Sequence, residues 1–159
     1  PSYHDLNPAT ENNIIDISDG IADIDFSDPE NNRYLVFGMD NIEEGVGSWG
    51  INNVSILYLG LKENSSYEMT IIAKPLIDNS QNQTIDFFLN DRNIETIEFG
   101  FDDAFNQYAI GFSTGQLKDG LSILKMQYKY SISPRELGIS GDSRNLAVLF
   151  NRITIEEIK

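Results

Sequence analysis

A short acidic segment in the N-terminal third places several carboxylates close together. Asp23, Asp25 and Asp28 lie within a span of six residues, and carboxylate oxygens are the ligands that calcium takes in sets of about six to eight. The spacing differs from that of an EF-hand loop, because the sixth position counted from Asp23 is not Gly and the twelfth is not Glu. Two interpretations stay open: a calcium site formed by these three carboxylates, and a solvated acidic surface at a strand end.

Carboxylate pairs are also the catalytic groups of glycoside hydrolases, in which they lie about 5 to 9.5 Å apart. Asp23 and Asp25 share a face if the segment is extended, whereas the members of Glu43-Glu44 and of Asp102-Asp103 point to opposite faces. The Asp23 and Asp25 pair is equally typical of an edge strand that repels other strands. An acidic jelly-roll glycosidase is therefore one alternative function.

Other catalytic classes lack the residues that they need. The chain has no Cys and one His, His4, which excludes thiolate chemistry and multi-histidine metal centres. No G-x-S-x-G sequence offers a serine nucleophile.

Aromatic residues provide a different chemistry, because the apolar faces of sugar rings lie on Trp and Tyr side chains. The single Trp, Trp49, lies in a Gly-rich segment from Gly45 to Gly50, which predicts a loop. Trp49 there is either an exposed platform or an anchor for the loop. Tyr58 is the second candidate for a ligand contact, and the alternative for any Tyr is a place in the core.

The charge of the chain restricts its partners. Its 159 residues hold 11 Lys+Arg and 25 Asp+Glu, a formal net charge of −14. Residues 1 to 48 carry 11 of the acidic groups and one basic group, Arg33. Such a surface repels phosphate backbones and anionic lipid headgroups. Nucleic acid and direct membrane insertion are therefore excluded as modes of binding, the latter also because no apolar run reaches the roughly 20 residues that span a bilayer.

The apolar residues repeat with a period of two almost throughout, which is typical of strands with one buried face. Turn-forming clusters separate the runs, and Asn90-Asp91 predicts a hairpin because both residues tolerate a left-handed backbone. No segment has a convincing helical pattern. The predicted strands are 14–17, 21–26, 34–37, 54–61, 67–74, 85–90, 94–99, 105–112, 124–130 and 147–155.

About ten short strands favour two packed sheets over one open sheet. We therefore predict an all-β fold, a two-sheet antiparallel β-sandwich with jelly-roll topology. We expect a flexible leader at 1–12 and a single domain at 13–159 that was excised from a larger protein, with the first and last strands close together in space.

Two segments resemble a bacterial β-sandwich domain that is appended to glycosyltransferases and phosphoglycerol-transferase-like enzymes of cell-surface polysaccharide assembly. The segment from Glu44 to Trp49 is similar to its E-x-x-G-x-W motif, with Gly47 as the central glycine. The segment from Ser133 to Val148 is similar to its closing motif S-P-x-E-L-G-x-S-x-D-x-R-x-L-G/A-V. The resemblance spans roughly residues 34 to 155. It departs from the family at Asn90-Asp91, where Asn-Gly is usual, and at Ala147, where Gly is common.

The resemblance implies a fold similar to carbohydrate-binding modules, with no catalytic residues of its own. It implies an accessory module that binds polysaccharide or oligosaccharide for a cell-surface glycan transferase, is associated with the cell envelope through its parent protein, and has the catalytic domain of the same parent chain as a partner. The alternative is a purely structural domain for packing or oligomerisation.

The closing motif also has a structural interpretation. Pro134 ends the preceding strand by removing a hydrogen-bond donor, Gly138 permits a tight reversal, and Asp142 accepts backbone N–H groups in an Asx turn. Arg144 begins the last strand and, as the charged member of its motif, is expected to form an ion pair with Glu44 that ties the two motifs together.

Overall fold

The computed structural model describes residues 6–117 and 120–159, so His4 lies outside the described residues. Ten strands and one 3₁₀ helix make up the described secondary structure. The strands are β1 (Ile14–Asp16), β2 (Ile21–Asp25), β3 (Ser48–Ile51), β4 (Val54–Gly60), β5 (Ser66–Pro75), β6 (Thr84–Leu89), β7 (Arg92–Glu98), β8 (Asn106–Ser113), β9 (Leu121–Tyr128) and β10 (Leu146–Ile158), and the 3₁₀ helix spans Pro29–Tyr34.

The strands form two sheets of five. The first sheet has the order β1-β4-β9-β6-β7, and the second has the order β2-β10-β5-β8 with β3 also paired to β10. All pairs are antiparallel except β1 with β4. The all-β jelly-roll sandwich is thus confirmed, and the pairing of β2 with β10 brings one of the first strands beside the last, as predicted.

The core lies between the inner faces of the two sheets, where alternate residues of each strand meet. Its largest fully buried side chains include Tyr67, Phe87, Phe99 and Phe150. The period-two pattern of the sequence is therefore the pattern of burial, as in β5, where every second residue from Tyr67 is buried. The hairpin between β6 and β7 turns at Asn90 and Asp91, whose φ angles of 50° and 69° are left-handed as predicted.

The strand predicted at 34–37 is wrong. Asp28 caps a 3₁₀ helix over Pro29–Tyr34, because its side chain accepts a hydrogen bond from the backbone N–H of Glu30 and Pro29 suits the first helical position. Phe37 retains a single bridge to Ile56.

The strand β3 was not predicted. Its sequence, Ser-Trp-Gly-Ile, contains two strand-forming residues, but the glycines at 45, 47 and 50 favour a loop. β10 is long enough to pair with β2 over Arg152–Glu156 and with β3 over Leu146–Phe150, so the two short strands lie end to end along one edge. β3 is therefore a strand because β10 provides its hydrogen-bond partners.

Residues 6–12, which belong to the predicted leader, pack against the domain at their start. The backbone carbonyl of Asn7 accepts a hydrogen bond of 2.7 Å from the hydroxyl of Tyr58.

None of the described segments forms a helix with the length and hydrophobicity needed to cross a bilayer.

Candidate functional site

Trp49 lies on the outer face of the second sheet. Its neighbours Ser48 and Gly50 are buried, and a Cβ at Gly50 would collide with the hydroxyl of Tyr128 in the core. Successive side chains of a strand point to opposite faces. The half-buried Trp49 therefore points away from the core, on a strand held by hydrogen bonds on both edges rather than on a loop.

A row of side chains crosses the second sheet at the level of Trp49. On one side the backbone N–H of Asp40 donates to the carbonyl of Trp49 at 2.8 Å. On the other side Trp49 is opposite Leu149, and Leu149 is opposite Lys74 in β5. Lys74 lies over the ring of Phe105, 5.1 Å from its centroid. We call Asp40, Trp49, Leu149, Lys74 and Phe105 the Trp49 row.

The Trp49 row combines aromatic faces with polar groups. Phe105 is 38% exposed, whereas Leu149 is 2% exposed. The Lys74 ammonium lies 3.5 Å from a carboxylate oxygen of Asp103. Three strand spacings separate Trp49 from Phe105, about 14 Å, so the row has an aromatic side chain on either side of the buried Leu149 and the Lys74 ammonium.

Arg144 anchors the Asp40 end of the row. Its guanidinium lies 2.7 Å from Asp40, 2.7 Å from Asp142 and 3.7 Å from Glu43. Hydrogen bonds from the Arg144 side chain lower the pKa of Asp142, and the same bonds raise the pKa of Arg144. This arrangement fixes the position of Asp40 beside Trp49 and leaves carboxylate oxygens at the surface as hydrogen-bond acceptors.

The predicted ion pair between Arg144 and Glu44 is wrong. In the described part of the chain, Arg144 forms ion pairs with Asp40, Glu43 and Asp142 and none with Glu44. Glu44 is exposed at the tip of a tight loop that is closed by the bridge between Glu43 and Gly47. Of these two adjacent glutamates, only Glu43 lies within ion-pair distance of the guanidinium.

Gly47 and Gly138 have structural roles. A Cβ at Gly47 would collide with the carbonyl oxygen of Phe150, so Gly47 permits the close approach of its loop to β10. Gly138 has a φ of 73°, which supports the tight reversal predicted for it. Both glycines shape the loops that surround Trp49 and Arg144.

Pro134 does not end a strand, because β9 already ends at Tyr128. Instead Ser133 caps a short turn by accepting a hydrogen bond from the N–H of Glu136, with Pro134 at the first position of that turn. Asp142 forms the predicted Asx turn, because its side chain accepts from the backbone N–H of Arg144 at 3.0 Å.

The acidic segment has partners within the protein. Arg152 lies 2.7 Å from Asp23 and 3.5 Å from Asp25. Hydrogen bonds from Ser27 lower the pKa of Asp25, with a smaller contribution from the charge of Arg152. Asp28 caps the 3₁₀ helix. Within residues 6–117 and 120–159, no group of three acidic or metal-binding side chains is arranged to hold a metal ion.

Tyr58 is buried rather than presented to a ligand. It is 4% exposed on the first sheet, where its hydroxyl donates to the carbonyl of Asn7 and burial raises its pKa. Asp40, Lys74 and Phe105 belong to the Trp49 row, but no motif in the sequence marks them as candidates. The alternation of β5 places Lys74 on the polar face, but the register that sets it near Phe105 and Leu149 has no signature within one strand.

Comparison with known proteins shows similarity of fold without similarity of sequence. No protein-family model and no curated protein match the chain. An insecticidal delta-endotoxin of Bacillus thuringiensis matches 95% of this chain with a TM-score of 0.57 and 13% identity, over 26% of its own length. The GH26-CBM35 β-(1,4)-mannanase of Podospora anserina matches 89% of this chain with a TM-score of 0.54 and 14% identity, over 28% of its own length.

A family 35 carbohydrate-binding module of Clostridium thermocellum is similar in size as well as fold. It matches 84% of this chain and 97% of its own, with a TM-score of 0.50 and 9% identity. This chain thus spans about a quarter of the endotoxin and of the mannanase, and nearly all of the isolated module. The chain has the jelly-roll fold that carbohydrate-binding modules have.

Proposed function

We propose that this chain is a non-catalytic module that binds polysaccharide or oligosaccharide through the Trp49 row. The observation that carries the proposal is the outward position of Trp49. The Asp40 carboxylate, paired with the Arg144 guanidinium, lies on one side of it, and Lys74 with Phe105 lies on the other. A sugar ring needs an apolar face beneath it and hydrogen-bonding groups at its rim. The Trp49 row offers both.

The charges around the row favour binding over hydrolysis. A glycosidase needs one carboxyl group whose pKa is raised, so that it is protonated and acts as a general acid. Asp25 and Asp142 have lowered pKa values instead, because Ser27 and Arg144 donate hydrogen bonds to their ionised forms. Asp142, which shares Arg144 with Asp40 at the end of the Trp49 row, is suited to accept hydrogen bonds from sugar hydroxyls.

The parent protein is part of the proposal. The similarity of the segments 44–49 and 133–148 to the motifs described above supports an accessory module of a bacterial cell-surface glycan transferase. In that setting the module holds the growing glycan near the catalytic domain at the cell envelope.

Affinity electrophoresis of the isolated chain in gels that contain soluble mannan, xylan or β-glucan tests the binding. We expect retardation by at least one polysaccharide and a loss of affinity of at least about tenfold in Trp49→Ala, equivalent to about 1.4 kcal/mol. Phe105→Ala serves as a second variant, because its exposed ring can be removed with less risk to folding.

Phe88→Ala is the matched control. Phe88 lies on the outer face of the first sheet beneath Lys125, at 4.5 Å, in a contact like that of Phe105 with Lys74. The proposal requires that Phe88→Ala bind as the unmodified chain does. Release of reducing sugar would instead indicate a glycosidase, and a folded chain that binds none of the polysaccharides would indicate a structural domain.

A further inference from the structure

The strand β8 forms an open edge of the second sheet. Among the described strands it pairs with β5 alone. The backbone N–H of Thr114 donates to the carbonyl of Ser65, whereas the carbonyl of Ser113 accepts from the side chain of Arg92. Alternation along an antiparallel strand therefore directs the N–H and C=O groups of Gln107, Ala109 and Gly111 away from β5.

The edge of β8 lacks the features that block strand addition. Its eight residues, Asn-Gln-Tyr-Ala-Ile-Gly-Phe-Ser, include no charged residue and no proline. Edge strands are ordinarily protected by charges, prolines, bulges or short length. The other edges have such protection: β1 has three residues, β2 carries Asp23 and Asp25, and β7 carries Arg92, Glu95 and Glu98.

We infer that β8 pairs antiparallel with β8 of a second copy of this chain, which joins the two second sheets across a twofold axis. Such an axis at Ala109 places Ala109 opposite its own symmetry mate and Gln107 opposite Gly111 of the other copy. Three residue pairs then exchange about six backbone hydrogen bonds. The hydrogen bond from the Arg92 side chain to the carbonyl of Ser113 is left intact at the end of this stretch.

Charge restricts a second copy to this edge. Two chains of net charge −14 repel one another over most of their surfaces. A twofold axis on β2 or β7 would bring like charges face to face, and like charges directly opposite one another destabilise a sheet. On β8 the residues that meet are Gln, Ala and Gly, so the two copies approach without a charged contact.

Sedimentation velocity of the 17.9 kDa chain tests this inference in the absence of any ligand. We expect a reversible dimer between about 10 µM and 1 mM, since an interface of one strand pair is at the small end of the range of protein interfaces. Added salt strengthens the dimer by screening the negative charge. A chain that stays monomeric over this range overturns the inference.

Gly111→Lys is the main variant, because a side chain at Gly111 meets nothing within 4 Å and introduces a charge on the open edge. We expect it to abolish the dimer. Gly141→Lys is the control with the same charge change at another unobstructed glycine, and it should dimerise as the unmodified chain does.

Ala109→Pro is a second variant that removes an outward N–H at the centre of the edge, where the N–H is not used by β5. A dimer that survives both Gly111→Lys and Ala109→Pro uses another surface, and the inference is then wrong. A monomeric chain that binds an unrelated extended peptide along β8 would replace the second copy by a foreign strand and would also contradict it.

Discussion

Arg144 organises the charged end of the Trp49 row. Its planar guanidinium has five N–H donors, and they face Asp142, Asp40 and, at longer range, Glu43. Asp142 is two residues away in the chain, whereas Asp40 is 104 residues away. Arg144 thus joins the closing loop to the segment that flanks Trp49, as the motif analysis predicted with Glu44 as the partner.

A double-mutant cycle with Asp40→Asn and Arg144→Met measures this link. Both side chains are more than one third exposed, so water screens the pair and we expect a coupling free energy of about 1 kcal/mol rather than the 3 to 5 kcal/mol of a buried pair. The free energy of unfolding in urea is the measurement.

The control cycle replaces Asp40→Asn by Glu44→Gln. Because Glu44 is exposed at the loop tip, its loss should add to that of Arg144→Met without coupling. Coupling with Glu44 and none with Asp40 would contradict the ion pairs described above.

At the scale of the element, β3 depends on two glycines that let it lie close to its neighbours. Gly47 faces the backbone of β10, and Gly50 faces Tyr128 of β9 in the opposite sheet. Tyr128 is held in place by a hydrogen bond of 2.6 Å to the hydroxyl of Ser55. The strand that carries Trp49 is thereby fixed on its inner side.

Gly50→Ala is expected to destabilise the protein by about 1 to 3 kcal/mol, the usual effect of overpacking a core. The new Cβ at this position would overlap the buried hydroxyl of Tyr128. Thermal or urea unfolding measures the change. Gly141→Ala, with nothing within 4 Å, should alter the stability by less than about 0.5 kcal/mol. Equal effects at the two positions would show that β3 does not press against Tyr128.

At the scale of the whole molecule, the negative charge of Asp23 and Asp25 is partly neutralised by an arginine from the last strand, far away in the sequence. Arg152 of β10 reaches both Asp23 and Asp25 of β2 and supplies the positive charge that a calcium ion would otherwise provide. The first strands are thus fastened to the last by charge as well as by backbone hydrogen bonds.

We therefore expect the melting temperature to be the same in millimolar calcium and in excess chelator. A ligand that binds only the folded state raises the melting temperature, and the gain in stability grows with the logarithm of the ligand concentration divided by Kd. Arg152→Met provides the comparison, because it frees Asp23 and Asp25 and makes the segment more attractive to a cation. A fall of several degrees on chelation from the unmodified chain would favour the calcium site over the solvated acidic surface, the two interpretations that the sequence leaves open.

The sequence by itself determined the all-β class and the approximate bounds of most strands, because burial of one face imposes a period of two on every strand. It also singled out Trp49 and Arg144 through the spacing of their motifs. It did not reveal β3, whose few residues become a strand only because β10 provides their partners.

The composition of the candidate site was decided by tertiary structure alone. Asp40, Trp49, Leu149, Lys74 and Phe105 come from five separate parts of the chain, and only the register between strands brings them into one row. Other tertiary contacts bury Tyr58, whose hydroxyl donates to the carbonyl of Asn7, and place Glu43 in an ion pair with Arg144. Cross-strand register depends on contacts between distant residues, and the pattern within a single strand does not contain it.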